Sequence, residues 1–434
     1  MRVLICILLS LFVCQTARSQ VNLAGALLLE ERYSDALQVT DSLLINDSSN
    51  AQLYLYKGTA MRGLGKYPEA IGLLQKAHQL SPEISTAMLI AGLQQESGNT
   101  PAAIESYRNV LLTDSLNAQA LFSLGKLLLA DGQAEKALAF LDPLYHSDTL
   151  NFIYTRYMAE TWDQMKNNDS AIFYFQKAVQ LNGQDRNSVF RLGNLYVKKN
   201  AFQAGISLTT TFLSMMAYQG YPMDIKILKL NAYLYFLAFQ PRSSIERFRQ
   251  CLEMGDSSAY TYKYLGLCFH DISGYDSAVY YLHKARQFPP EDPEIFYFLG
   301  KCYGMMNKPD TAIACLKKTI ELLSPSPSFI SSIHIMIADN LNLLKKTDKA
   351  LETLYAARKI DESPEVLFML GRQYDFFGSD QDSAELYYKL FISKLEEKES
   401  QTREQHEFMD RARERLKKFQ EDRFWLGLDS IPQK

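Results

Sequence analysis

Apolar residues recur along this chain on two scales at once. Within short stretches they return at helical spacing, as Tyr262, Leu265, Gly266 and Phe269 do, and then Ala278, Leu282 and Ala285, with Gly274 between and Pro290 closing. That pattern predicts two amphipathic helices joined by a tight turn. Over longer distances, small residues return about every 34 positions: Ala36, Ala70, Ala103, Ala137, Ala171, Gly205, Ser244, Ala278, Ala312, Ala350 and Ala384. A second small column lies twelve or thirteen residues earlier, from Ala24, Gly58 and Ala91 through Gly266 and Gly300 to Ala338 and Gly371. Paired helices approach closely only where no large side chain intervenes, so two such columns predict repeated helical hairpins. Both give eleven units.

The order aromatic, Leu-Gly, aromatic, Ala, large apolar and Pro in Ala259 to Pro290 resembles the tetratricopeptide repeat. The resemblance covers roughly residues 21 to 392. It implies an all-α fold, a right-handed α-solenoid of about eleven such hairpins with a long C-terminal helix. It also implies a non-enzymatic protein–protein adaptor or scaffold that presents the first helix of each repeat along a concave groove.

Departures from the period are informative. The first unit lacks most of the large apolar signature and reads as a cap. In the sixth, Gly205 is followed by Thr209, Thr210 and Thr211, weak helix formers, so its second helix is expected to be the least regular. Two intervals are long, one holding Leu213 to Asp224 and one holding Leu323 to Ile330. They read as tolerated edge loops; the first reads alternatively as a break dividing an array over 20–220 from one over 221–392. After Ala384 the pattern predicts one long helix to about Gln420, with Glu399 and Arg403, Glu407 and Arg411, and Glu414 and Lys418 spaced to pair, and Met409, Ala412, Leu416 and Phe419 as a narrow apolar stripe. Residues 393–434 are then a charged cap over the last repeat or a coiled-coil contact, with Phe424, Trp425 and Leu426 as staple or docking point.

Residues 1–19 change the setting. Arg2, the apolar run Val3 to Val13 and a small-x-small site at Ala17, Arg18 and Ser19 form a secretory signal pattern, with cleavage expected before Gln20. The run is too short for a spanning anchor, and lipid attachment at Cys14 is disfavoured by Leu11-Phe12-Val13. The reading is therefore an exported bacterial protein, periplasmic or secreted. Losing Arg2 and Arg18 takes the formal net charge from −3 to −5, which argues against nucleic acid as a partner. Cys251, Cys268, Cys302 and Cys315 remain. Cys268 and Cys302 stand one repeat apart, too far for a disulfide, and all four read as buried free thiols.

No catalytic or metal constellation is found: the six histidines are scattered and Gly63-Leu64-Gly65-Lys66-Tyr67 lacks the full phosphate-loop spacing, so no cofactor is expected. Recognition then rests on the face of each first helix flanking its small residue. Phe190 and Asn194, then Lys226, Lys229 and Tyr233, Tyr260 and Lys263, and Tyr297 and Lys301 occupy it, with lysines alternating with aromatics. Such a face suits an acidic, partly apolar protein or peptide segment; the bland reading is inter-repeat packing and a solvated lysine coat. The family's carboxylate clamp is not supported, because Phe190 and Leu230 stand where its lysine and asparagine belong. Two alternatives stay open: an assembly component self-associating through the C-terminal helix, and a carbohydrate-binding or enzymatic use of the aromatic groove. Oligomeric state is not read from the sequence.

Overall fold

A computed structural model describes residues 20–322, 326–378, 380–397 and 402–425. The signal pattern, Leu426 and the side chains of Phe424 and Trp425 lie outside the described residues. The first helices are residues 20–29 (α1), Tyr33–Asn46 (α2), Ala51–Gly63 (α3), Tyr67–Leu80 (α4), Ile84–Glu96 (α5) and Thr100–Thr113 (α6). Ala118–Ala130 (α7), Ala134–Ser147 (α8), Phe152–Gln164 (α9), Asn168–Leu181 (α10) and Arg186–Lys198 (α11) complete one compact unit, which ends at Lys199. A second unit begins at Asn200 with Phe202–Tyr218 (α12), Ile225–Leu237 (α13), Pro241–Glu253 (α14), Ala259–Asp271 (α15), Tyr275–Ala285 (α16) and Pro293–Met305 (α17). It continues as Pro309–Leu322 (α18), Pro327–Leu343 (α19), Thr347–Ile360 (α20), Pro364–Gln373 (α21), a π-turn Tyr374–Gly378, Gln381–Glu396 (α22) and Arg403–Trp425 (α23). The described residues contain no strand. Within each unit, successive helices pack as stacked antiparallel hairpins.

Both small columns are buried, Ala36, Ala70, Ala103, Ala137, Ala171, Ser244, Ala278, Ala312, Ala350 and Ala384 to 0% exposure. Where the first-helix column holds Gly58, Gly125, Gly266 or Gly300, the residue sixteen later is a leucine that fills the missing side chain's place: a Cβ on Gly266 would lie 2.6 Å from Leu282 Cγ. Turns between paired helices are equally regular. The residue seven after the first column has positive φ in ten repeats, and it is glycine only at Gly65, Gly98 and Gly132; Lys166, Phe239, Ser273 and Asn307 also adopt it. Asparagine, aspartate or serine then caps many of the helices, as Asn99, Asn151, Asp224 and Ser258 do.

Two expectations are corrected. The second helix of the sixth repeat is not irregular: α12 runs unbroken for 17 residues. Thr209 Oγ1 donates to Gly205 O at 2.7 Å and accepts from Asn231 Nδ2 at 2.8 Å, while Thr210 accepts from the same amide, so the hydroxyls find partners on α12 or on the neighbouring α13. The long interval there is partly this extra turn of helix. Nor does one helix run from Ala384 to Gln420. α22 ends at Glu396, and α23 returns against it, with Arg413 donating to Glu396 at 3.0 Å and Arg423 pairing with Glu385 at 2.7 Å. Met409, Ala412 and Phe419 are buried in this contact and Leu416 packs beside them, so the stripe covers the last repeat. Among the described residues the ion pairs within α23 are Arg403 with Glu407 and Lys417 with Glu421, and Glu399, expected to pair with Arg403, lies outside the described residues.

Candidate functional site

The first-helix face of the second unit gathers two of the singled-out residues, Tyr233 and Tyr260, around one that the sequence reading passed over. Tyr264 lies two residues before Gly266, off the expected face, yet its ring centroid is 4.6 Å from Tyr260, 4.9 Å from Tyr233 and 5.1 Å from Phe236. Phe248, fully buried on α14, stacks beneath it at 6.0 Å. The visible signal was Tyr260 and Tyr264 at i, i+4 on one helix. Tyr260 remains 38% exposed, so the cluster forms a shelf open to solvent. Burial, and then the neighbouring phenols, push the Tyr260 and Tyr264 hydroxyls above the ordinary phenol range, keeping both neutral.

Lysines flank this shelf, but two are already neutralised. Lys229 Nζ lies 2.9 Å from Asp256 and donates to Ser258 at 3.2 Å, above the Tyr260 ring. Burial works to raise the Asp256 carboxyl, but bonds from Thr261, Lys229 and Ser258 outweigh it and hold the group low. Lys263 reaches Asp292 at 2.6 Å and Glu294 at 2.5 Å; desolvation opposes its charge, and the two carboxylates more than restore it. Each acid lies 27 to 31 residues after its lysine, at the start of the next repeat's first helix, a spacing the alternation of lysine and aromatic did not reveal. The free positive face expected from sequence therefore reduces to Lys226 and Lys301. Lys226 is exposed and has no carboxylate partner among the described residues, and Lys301 sits 5.5 Å over Tyr297 and 5.4 Å over Phe298. Tyr297 also meets Phe329 at 5.4 Å.

Phe190 and Asn194 belong to the other unit. Phe190 is 38% exposed, and Asn194 spends its amide on the Phe190 carbonyl at 2.8 Å. The four cysteines read as core residues are buried free thiols, Cys268 donating to Ser244 at 3.2 Å. Among the described residues, no group of three His, Cys, Asp or Glu could hold a metal, and no helix is long and apolar enough to cross a membrane.

Stacked helical hairpins with two small columns and a side-chain-rich first-helix face define a helical-repeat scaffold. Residues 21–83, 88–149 and 159–185 match models of the tetratricopeptide repeat, so these stretches carry tetratricopeptide repeats. Proteins of this kind generally serve as non-enzymatic scaffolds for protein or peptide partners. A probable UDP-N-acetylglucosamine–peptide N-acetylglucosaminyltransferase, SPINDLY of Arabidopsis thaliana, is 28% identical over 96 residues, 22% of this chain and 10% of that protein. A BBSome complex member BBS4 homologue of Drosophila melanogaster is 23% identical over 390 residues, 84% of this chain and 74% of the relative. The chain thus spans only about a tenth of the first of these. A tetratricopeptide-repeat protein structure from Parabacteroides merdae aligns at 17% identity and TM-score 0.40, covering 58% of this chain and 98% of its own.

Proposed function

We propose that the protein is an exported bacterial adaptor that binds an extended, partly apolar segment of another protein on the tyrosine shelf of its second unit. The observation that carries this is the shelf itself: Tyr233, Tyr260 and Tyr264 hold mutual contacts of 4.6 to 5.9 Å while leaving Tyr260 exposed. Rigid aromatic faces offer contact area at low entropic cost, and phenol hydroxyls offer hydrogen bonds to a peptide backbone. An acidic preference in the ligand rests on Lys226 and Lys301, because Lys229 and Lys263 already have carboxylates.

Tyr260→Ala combined with Lys301→Glu should deplete a stoichiometric partner recovered from the native envelope; undiminished recovery would remove this face from consideration. Export rests on residues 1–19, and N-terminal sequencing of the mature product should begin at Gln20.

A further inference from the structure

The first unit carries a separate polar groove of about 470 Å³ between α7, α9 and α11, lined by Lys126, Tyr157, Glu160, Asp163 and Arg191 among others. Glu160 and Asp163 stand three apart on α9, on neighbouring positions of one face. Asp163 is well satisfied, with Arg191 donating at 3.0 Å and Lys198 as a longer ion-pair partner at 3.8 Å. Glu160 is not. Its side chain is only 21% exposed, yet the cation it pairs with, Arg156 Nε, lies 3.7 Å away, outside hydrogen-bonding distance. Arg156 is drawn aside over the rings of Phe152 and Tyr157 and toward Asp185, which leaves its own Nε buried without an acceptor. Burial consequently raises the Glu160 carboxyl despite Arg191 and Arg156 nearby. Across the groove Lys126 is exposed, with no carboxylate partner among the described residues and only a long approach of 6.0 Å to the Phe122 ring.

Glu160 is partly buried, takes no hydrogen bond from the described residues and has its paired cation held off at 3.7 Å, so an added donor that brings positive charge suits this groove. Water supplies the donor but not the charge. A guanidinium or ammonium supplies both and gains the neighbouring Tyr157 ring. We infer that this groove takes a lysine or arginine side chain from a partner protein, with Glu160 as its acceptor and Tyr157 against its stem. This rests on the adaptor reading only in that the ligand belongs to another protein; it uses another unit and other residues.

The test is anisotropy of fluorescein-labelled triarginine titrated with the full chain. Glu160→Gln, which keeps the shape, should weaken binding about tenfold, the scale of one charged hydrogen bond. Lys126→Glu removes the opposing cation from an exposed position and should tighten binding, a gain that misfolding cannot imitate. Glu105→Gln with Glu135→Gln, exposed carboxylates on α6 and α8, should leave it unchanged. Tyr260→Ala should also leave it unchanged, which separates failure here from failure of the tyrosine shelf. Absence of saturable triarginine binding, equal loss in the two sets of carboxylate variants, or tighter binding of triglutamate would overturn the assignment.

Discussion

At the residue scale, the hairpins depend on what fills the space beside each small column. Alanine is ordinarily the better helix former by about 1 kcal/mol, but on Gly266 its Cβ would meet Leu282 Cγ at 2.6 Å and the Ala278 carbonyl at 3.2 Å. Overpacking wins, and Gly266→Ala should lose about 1–3 kcal/mol in a denaturant melt. Phe239 shows the opposite case, held at φ 56° and 90% exposed, so its side chain gains little for an unfavourable backbone. Phe239→Gly should stabilise by about 1 kcal/mol. Both columns were legible from spacing alone; the positive φ at a phenylalanine was not, because the turn is imposed by the hairpin and not by the residue. Burial pushes the Cys251 and Cys268 thiols up to about 12 and Cys302 to about 11. Above about pH 8.5 the unfolded thiols ionise while the folded ones keep their protons, so stability should fall with rising pH. Disulfide reagents at pH 8 should react with these thiols only after unfolding.

At the scale of elements, one inserted residue organises the C-terminal end. Gly371 and Ala384 stand thirteen apart where the other repeats have twelve, and the π-turn Tyr374–Gly378 lies within that longer interval. The π-turn is accompanied by burial of Asp375, 3% exposed, which accepts from Arg415 Nε at 2.7 Å and from Tyr388 at 3.2 Å. Breaking a buried pair by removing one partner costs roughly 3–5 kcal/mol. Asp375→Asn should therefore speed amide exchange in α23 selectively, as read by mass spectrometry; uniform exchange changes across the second unit would refute the local role. The thirteen-residue interval is visible in the sequence, but the return of α23 is not, since the helical pattern runs through residues 397–402 without an obvious break.

At the scale of the whole molecule, stability in such repeats is close to a sum of local terms, so damage should stay local. Leu141, 1% exposed against Gly125, is a test: Leu141→Ala should cost about 2–5 kcal/mol and raise exchange in the first unit while sparing amides beyond Asn200. The sequence alone determined the eleven hairpins, the buried thiols and the residues facing along each first helix, because helical periodicity and the exclusion of large side chains from close contacts act within a few tens of residues. Only the tertiary structure decided which lysines are spent on carboxylates in the next repeat, how Tyr264 completes the shelf and why Glu160 is left without a hydrogen bond. Those outcomes depend on distances between side chains on different helices, which the spacing of residues along the chain does not fix.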